Sequence, residues 1–219
     1  MTTAAERLAD ELVPGADSLK DEVAGWLASS RRFRAFAEAH RDKIRKKLRG
    51  ATDPEARLDV RAELRVAHLL LADRRIELAF EAYGSGRPGP DFSVTFRDAP
   101  SLNLEVTRPR TAALVGPLLA KLPQLPPSRP NAVVLAVAAR ADVAAAIHEL
   151  RERADAKDEP FFTARGYDGS KAFHQRLLRL GGVIAWRDGA GADLWVNRSA
   201  RVLLPERDAR AVVACLSAN

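Results

Sequence analysis

One segment of the chain, residues 131–138, limits the fold more than any other. Every residue from Ala132 to Ala138 is apolar, so an extended strand there presents apolar side chains on both faces. A strand of this kind lies in the middle of a sheet that helices cover on both sides. Helical patterns precede and follow the segment. The sequence therefore predicts an α/β protein whose β-sheet is flanked by helices.

The part of the chain before this segment predicts a helix followed by three strands. Residues 56–73 repeat apolar side chains at helical spacing. Three short segments then alternate between apolar and polar residues, as half-exposed strands do, and a turn rich in Gly and Pro separates the first two. These predicted strands are residues 75–81, 90–94 and 104–107. The order of elements is helix, hairpin, strand.

The helix and two of the strands each carry an acidic residue of interest. Glu63 lies near the middle of the helix, and Asp91 and Glu105 lie on the second and third strands. Alternation places each strand acid on the face opposite its apolar neighbours. Carboxylates and backbone carbonyls, such as that of Val106, are ligands for hard divalent cations. The alternatives are structural: Asp91 as a turn cap after a proline, and Glu105 paired with a nearby arginine.

This arrangement resembles the PD-(D/E)XK nuclease superfamily, whose members have the restriction-endonuclease-like fold. The resemblance is carried by the helix acid, by the pair Pro90-Asp91, and by Glu105, which Thr107 follows where the family has a lysine. It covers about residues 56–140. It implies a restriction-endonuclease-like mixed β-sheet flanked by helices, with an N-terminal helical extension.

The resemblance also implies roles for individual residues. The resemblance implies that Asp91 and Glu105 bind a Mg²⁺ or Mn²⁺ ion, with Glu63 as a further ligand. Because Thr107 stands at the lysine position, the resemblance assigns the water-activating lysine to Lys121 on the following helix, where some members carry it. Gln124 corresponds to a polar residue that some branches carry on the same helix. The implied catalytic set is Glu63, Asp91, Glu105 and Lys121.

Residues 30–50 predict one basic amphipathic helix, with Ser30 as its cap and Gly50 as its stop. Nine Lys and Arg residues stand there against two acids, in a chain whose formal charge is +6. This balance favours contact with the phosphate backbone of DNA. The alternative is a solvated helix whose basic stems cover apolar neighbours. The predicted nucleic-acid contacts are Arg31, Arg32, Arg34, Lys43, Lys46, Lys47, Arg110 and Gln124.

The sequence divides into an N-terminal helical lobe, residues 1–55, and an α/β core, residues 56–219. The chain has no apolar run long enough to cross a bilayer, and its N-terminus lacks the pattern of a signal peptide. We therefore expect a cytoplasmic protein without membrane contacts. A single cysteine, Cys215, excludes an internal disulfide framework and a cysteine-based zinc site. A homodimer is compatible with the sequence.

Three functional hypotheses follow. The first is a metal-dependent nuclease that hydrolyses phosphodiester bonds of DNA. The second is a catalytically inactive protein of the same fold that binds nucleic acid or a protein partner, and Thr107 is the reason for retaining it. The third is a small-molecule enzyme or interaction protein unrelated to nucleic acid, because no residue pattern specifies a substrate.

Overall fold

The computed structural model describes residues 2–13, 15, 18–83, 89–97 and 101–218. The chain forms two compact units, Met1–Leu78 and Ala79–Asn219. The first unit is built from helices, and the second carries most of a β-sheet with the helices that connect its strands. In the described part of the chain, no helix combines the length and the apolar character that crossing a membrane requires.

The helices described in the first unit include several that begin at a polar capping side chain. The described helices are α1 (Ala4–Leu12), α2 (Ser18–Ser29), α3 (Arg31–Ala39), α4 (Arg41–Gly50) and α5 (Pro54–Leu70). The hydroxyl of Ser30 accepts a hydrogen bond from the amide of Phe33, 3.1 Å away. The carboxylate of Asp53 accepts one from the amide of Ala56 at 2.8 Å. Both side chains satisfy amides that lack a partner within the helix, which fixes where α3 and α5 begin.

The prediction of a single helix over residues 30–50 is wrong, because the helix is interrupted at His40. That residue has φ −112° and ψ 18°, outside the helical region, and α4 starts after it. The ring of His40 packs on Phe36, with 4.8 Å between the ring centroids. The basic residues of this segment are therefore carried by two short helices.

Helix α5 belongs to the first unit, although the sequence places the division between lobe and core at residues 55/56. The guanidinium of Arg61 binds both carboxylate oxygens of Glu22 in α2, at 2.6 Å and 2.5 Å. The ring of His68 stacks on Trp26, also in α2, with centroids 5.6 Å apart. These contacts tie α5 to the helices that precede it.

In the described residues, six strands form one mixed sheet in the order β1 to β6. They are β1 (Ile76–Phe80), β2 (Phe92–Phe96), β3 (Leu102–Thr107), β4 (Asn131–Ala136), β5 (Gly182–Arg187) and β6 (Gly191–Val196). Strands β2 and β3 are antiparallel, β3, β4 and β5 are parallel, and β6 is antiparallel to β5. The predicted mixed α/β architecture is confirmed, as is the internal position of β4.

Parallel strands need crossover connections, and helices supply them here. The remaining described helices are α6 (Val115–Lys121), α7 (Val143–Asp155), α8 (Glu159–Thr163), α9 (Gly169–Leu177) and α10 (Glu206–Ser217). One face of the sheet packs Val133 and Leu135 of β4 and Val183 of β5 against apolar residues of α6, α7 and α9. Helix α8 adds the fully buried Phe162 to this core.

Candidate metal centre

The two strand acids are neighbours in the second unit. Asp91 directly precedes β2, and Glu105 lies within β3. The antiparallel register pairs Phe92 with Leu104, so one step further along it places Asp91 opposite Glu105. The amide of Asp91 donates to Glu105 Oε2 at 3.2 Å, and the amide of Val106 donates to Asp91 Oδ2 at 2.8 Å. Each carboxylate is thus held by the backbone of the other strand.

Lys121 joins this pair from α6. Its Nζ lies 2.6 Å from Glu105 Oε1. The side chain of Glu105 is 1% exposed and that of Lys121 is 23% exposed. A buried carboxylate is stabilised only when a charge or hydrogen-bond donors compensate it, and Lys121 provides the charge. The structure therefore brings three of the four predicted catalytic residues together: Asp91, Glu105 and Lys121.

The sheet register explains why Lys121 reaches Glu105. Strand β3 pairs with β4 so that Glu105 lies beside Val133, and both side chains point to the same face. Val133 belongs to the core that α6 covers. Helix α6 ends at Lys121 over this face. The three-residue turn Leu122–Gln124 follows at once, so Gln124 lies one turn beyond the lysine.

The donor set fits Mg²⁺ or Mn²⁺ in its chemistry, since both strand acids offer hard oxygen ligands. Within the residues that the structure describes, no three His, Cys, Asp or Glu side chains are grouped to hold a metal ion. Mg²⁺ commonly takes one or two carboxylates and completes its shell with water and substrate phosphates. Asp91 and Glu105 would therefore hold the ion with non-protein ligands in its remaining positions.

Glu63, the third predicted ligand, lies on α5 in the first unit. Its carboxylate accepts a hydrogen bond from Nζ of Lys47 on α4. The two side chains are largely buried, with 13% exposure for Glu63 and 26% for Lys47. This ion pair joins two helices of the first unit. The roles predicted for these two residues, in metal binding and in nucleic-acid binding, stay predictions.

Two of the predicted nucleic-acid contacts are engaged inside the first unit. Arg32 donates from Nη1 to the carbonyl oxygens of Leu71 at 3.0 Å and Asp73 at 2.5 Å, and from Nη2 to that of Ile76. Leu71 and Asp73 follow the end of α5, and Ile76 begins β1. Arg34 donates from Nε to a carbonyl of α2 at 3.0 Å. Both arginines thereby connect segments of the first unit.

Other basic side chains of α3 and α4 extend into solvent. Arg31 and Lys46 are exposed, as the sequence predicts for phosphate contacts, and Lys43 is half-buried. Arg49, in the last turn of α4, is also exposed, although the sequence gives it no individual role. Its place in the same basic run was the signal that pointed to it. In the second unit, Arg110 is exposed in the loop that follows β3.

Comparison of the chain with protein-family models, with curated proteins and with solved structures gave no match.

Proposed function

We propose that this protein is a metal-dependent nuclease of the PD-(D/E)XK superfamily that hydrolyses phosphodiester bonds of DNA. The observation that carries the proposal is the 2.6 Å contact between Lys121 Nζ and Glu105 Oε1, next to the carboxylate-bearing Asp91. Two acids and a lysine on neighbouring elements are the groups that a hydrolytic site of this class uses. Thr107 has no charge to offer at the usual lysine position, and Lys121 fills its role.

The order of helices and strands supports the restriction-endonuclease-like fold. A helix, α5, precedes three consecutive strands, and α6 connects β3 to the parallel strand β4. Asp91 stands at the start of β2 and Glu105 within β3, and these are the places that the family uses for its acids. We accordingly assign the restriction-endonuclease-like fold as part of the proposal.

The proposed chemistry divides between the acids and the lysine. Asp91 and Glu105 would hold Mg²⁺ or Mn²⁺. When bound, the ion polarises a phosphate oxygen and lowers the pKa of its bound water. Lys121 is the group that orients the attacking water and stabilises the negative charge that develops on the phosphate. Arg110, exposed in the loop after β3, would contact a flanking phosphate.

DNA binding is proposed for the exposed basic residues of α3 and α4. These exposed residues are Arg31, Lys46 and Arg49. Their positive charges neutralise DNA phosphates, and binding is favourable because it releases counterions from the DNA. The cytoplasmic location and a homodimer stay predictions.

One observation favours a second candidate function. In the structure the lysine assigned to catalysis is bound to an acid assigned to the ion, while Thr107 occupies the usual lysine position. A protein that keeps this ion pair permanently would have the fold and the nucleic-acid affinity but no hydrolytic activity. It would bind DNA, or a protein partner, without metal.

Metal binding and cleavage measured on the same samples separate these candidates. Calorimetry with Mg²⁺ and Mn²⁺, and cleavage of plasmid and single-stranded DNA, would compare the wild type with the double variant Asp91→Ala/Glu105→Ala. Glu206→Gln, an exposed acid on α10, is the matched control. The nuclease proposal predicts binding and cleavage in the wild type and the control only. Equal, salt-sensitive DNA affinity without metal binding or cleavage in any sample supports the inactive binding protein.

A further inference from the structure

The oxygens of the acid pair are allotted in a specific way. Glu105 Oε2 and Asp91 Oδ2 accept backbone amides of the neighbouring strand. Glu105 Oε1 accepts the ammonium of Lys121 at 2.6 Å. The lysine is therefore bound to the Glu105 oxygen that the amide of Asp91 does not occupy.

A divalent ion and this ammonium compete for the same place. A Mg²⁺ ion lies about 2.1 Å from its carboxylate oxygens. An ammonium held at 2.6 Å from Glu105 Oε1 would then lie within a few ångströms of the ion. Like charges at such distances repel strongly where little water screens them, and Glu105 is 1% exposed. Both cations cannot remain on Glu105 Oε1.

We propose that Lys121 is the resident cation of the acid pair, and that a divalent ion binds by displacing its ammonium from Glu105. This inference rests on the proposed function, because it takes Asp91 and Glu105 as the ion ligands. Lys121 is the last residue of α6 and its side chain is 23% exposed. A lysine has a flexible four-carbon stem, so its ammonium can move while the helix stays in place.

The displacement links metal binding to substrate binding. The released ammonium no longer contacts Glu105, and a DNA phosphate offers it an anionic partner. A phosphate that binds Lys121 therefore favours the metal, and by linkage the metal favours the phosphate to the same extent. Without either ligand, the ammonium of Lys121 compensates the charge of Glu105. Lys121 is a catalytic residue in the proposed nuclease, and this second role sets when the ion can enter.

Calorimetric titration of Mn²⁺ into variants at residue 121, without DNA, tests the displacement. Lys121→Met removes the competing charge and is expected to bind Mn²⁺ at least about fivefold more tightly than the wild type, a typical lower value for coupled ligands. Lys121→Arg keeps the charge and is expected to bind no more tightly than the wild type. Lys171→Met, which alters an exposed lysine of α9, is the matched control and should leave the affinity unchanged.

A second readout covers loss of stability in Lys121→Met, since that variant removes the ammonium that compensates the buried charge of Glu105. Its melting temperature is expected to be low without metal and to rise more with Mn²⁺ than that of the wild type. If the variant is unfolded without metal, Mn²⁺ is expected to restore its helical circular dichroism. Failure of Mn²⁺ to stabilise or refold it would overturn the displacement.

The outcomes for the two proposals can be told apart. A wild type that binds Mn²⁺ and cleaves DNA, with Lys121→Met binding Mn²⁺ equally or more weakly, overturns the displacement and leaves the nuclease intact. A wild type that does not cleave DNA, with Lys121→Met binding Mn²⁺ more tightly, supports the displacement and overturns the nuclease. No Mn²⁺ binding by either protein overturns the displacement and the metal centre together.

Discussion

The hydroxyl of Tyr167 donates a 2.5 Å hydrogen bond to the carbonyl oxygen of Leu119, two residues before Lys121 in α6. Tyr167 comes from the loop between α8 and α9 and is 5% exposed. Its ring also packs edge-on against Phe162, with centroids 6.4 Å apart. The contact anchors the end of the helix that brings the lysine to the acids.

Tyr167 gives the protein a specific sensitivity to alkaline pH. Burial raises the pKa of its phenol above the ordinary value, so the folded state keeps a proton that the unfolded state releases above about pH 10. Below about pH 10, the buried phenol of Tyr167 makes its full contribution to the free energy of unfolding. Above that pH the free energy of unfolding falls by about 1.4 kcal/mol per pH unit, until the folded group titrates too.

Urea denaturation at a series of pH values from about 8 to about 11 checks this, with Tyr167→Phe as the comparison. The variant lacks the ionisable group, so its stability should decline less steeply than that of the wild type above about pH 10. Parallel declines in the two proteins would contradict the prediction.

Arg31 and Arg32 are adjacent in sequence but have different surroundings. Arg32→Ala is expected to lower the free energy of unfolding by about 1.5–3 kcal/mol, because charged hydrogen bonds to carbonyls after α5 are lost. Arg31→Ala, at an exposed position, should change it by less than about 0.5 kcal/mol. Urea denaturation of both variants measures this difference.

Binding of the same variants to a DNA duplex should show the reverse order. Arg31→Ala is expected to reduce the slope of log affinity against log salt by about 1, the effect of losing one phosphate contact. Fluorescence anisotropy over a range of salt concentrations measures that slope. A variant at Arg31 that is destabilised yet binds DNA with an unchanged slope would refute the division of roles.

Asn131 organises the start of β4. Its Nδ2 donates to the carbonyl oxygens of Pro126, Arg129 and Arg179, each at 2.8 Å. Its Oδ1 accepts from Asn103 at 2.9 Å. The side chain is completely buried. One amide thereby holds the loop before β4 and the end of the α9 region together.

Asn131→Asp is expected to destabilise the protein by more than about 3 kcal/mol, because a buried carboxylate would face three carbonyl oxygens. Asn131→Leu loses the same hydrogen bonds without adding a charge, so we expect a smaller loss of about 1–3 kcal/mol. Thermal and urea denaturation of the pair, at neutral and at acidic pH, measure the losses. The gap should narrow in acid as the new carboxyl becomes protonated, and a gap that does not change with pH would rule out this explanation.

Gly169 starts α9 in a conformation that side chains rarely adopt, with φ +80°. A Cβ atom there would lie 2.2 Å from Glu159 Oε2. That carboxylate accepts from the hydroxyl of Ser170 at 2.7 Å and from its amide at 2.8 Å. The hydrogen bond from the hydroxyl lowers the pKa of Glu159 most, and the hydrogen bond from the amide lowers it further. An added methyl group would disturb them.

Gly169→Ala is therefore expected to cost more than the roughly 1–2 kcal/mol of its backbone strain alone. Gly189→Ala is the matched control, since φ is +72° there and a Cβ meets nothing within 4 Å. Differential scanning calorimetry should give a lower melting temperature for the variant at Gly169 than for that at Gly189. Equal melting temperatures would show that Glu159 moves aside without cost.

Local signals in the sequence were enough to predict several elements. Ser30 is predicted as a helix cap, and its hydroxyl accepts a hydrogen bond from the amide of Phe33 at the start of α3. The run of apolar residues after Asn131 predicts an internal strand because only a covered sheet hides both faces. Each inference depends on residues close together in the chain.

Features set by long-range packing could not be predicted in the same way. The break at His40 has no Gly or Pro to mark it, and the apolar spacing continues across it from Phe36 to Ile44. The contact of Lys121 with Glu105 depends on the register of β3 with β4 and on the end of α6. Periodicity shows which face of an element is apolar, but it does not show which helix covers that face.

The parallel arrangement of β3, β4 and β5 has a consequence for how the chain folds. Each of these strands finds its partner only after a whole crossover segment has been closed, so the contacts of the second unit are distant in sequence. Rates of folding fall as contacts become more distant in sequence, whereas neighbouring helices form theirs quickly. The helices of the first unit also leave the ribosome before the strands of the second unit. We expect a stopped-flow refolding experiment to show fast helix formation, followed by a slower phase in which the sheet assembles and Asp91 and Glu105 meet.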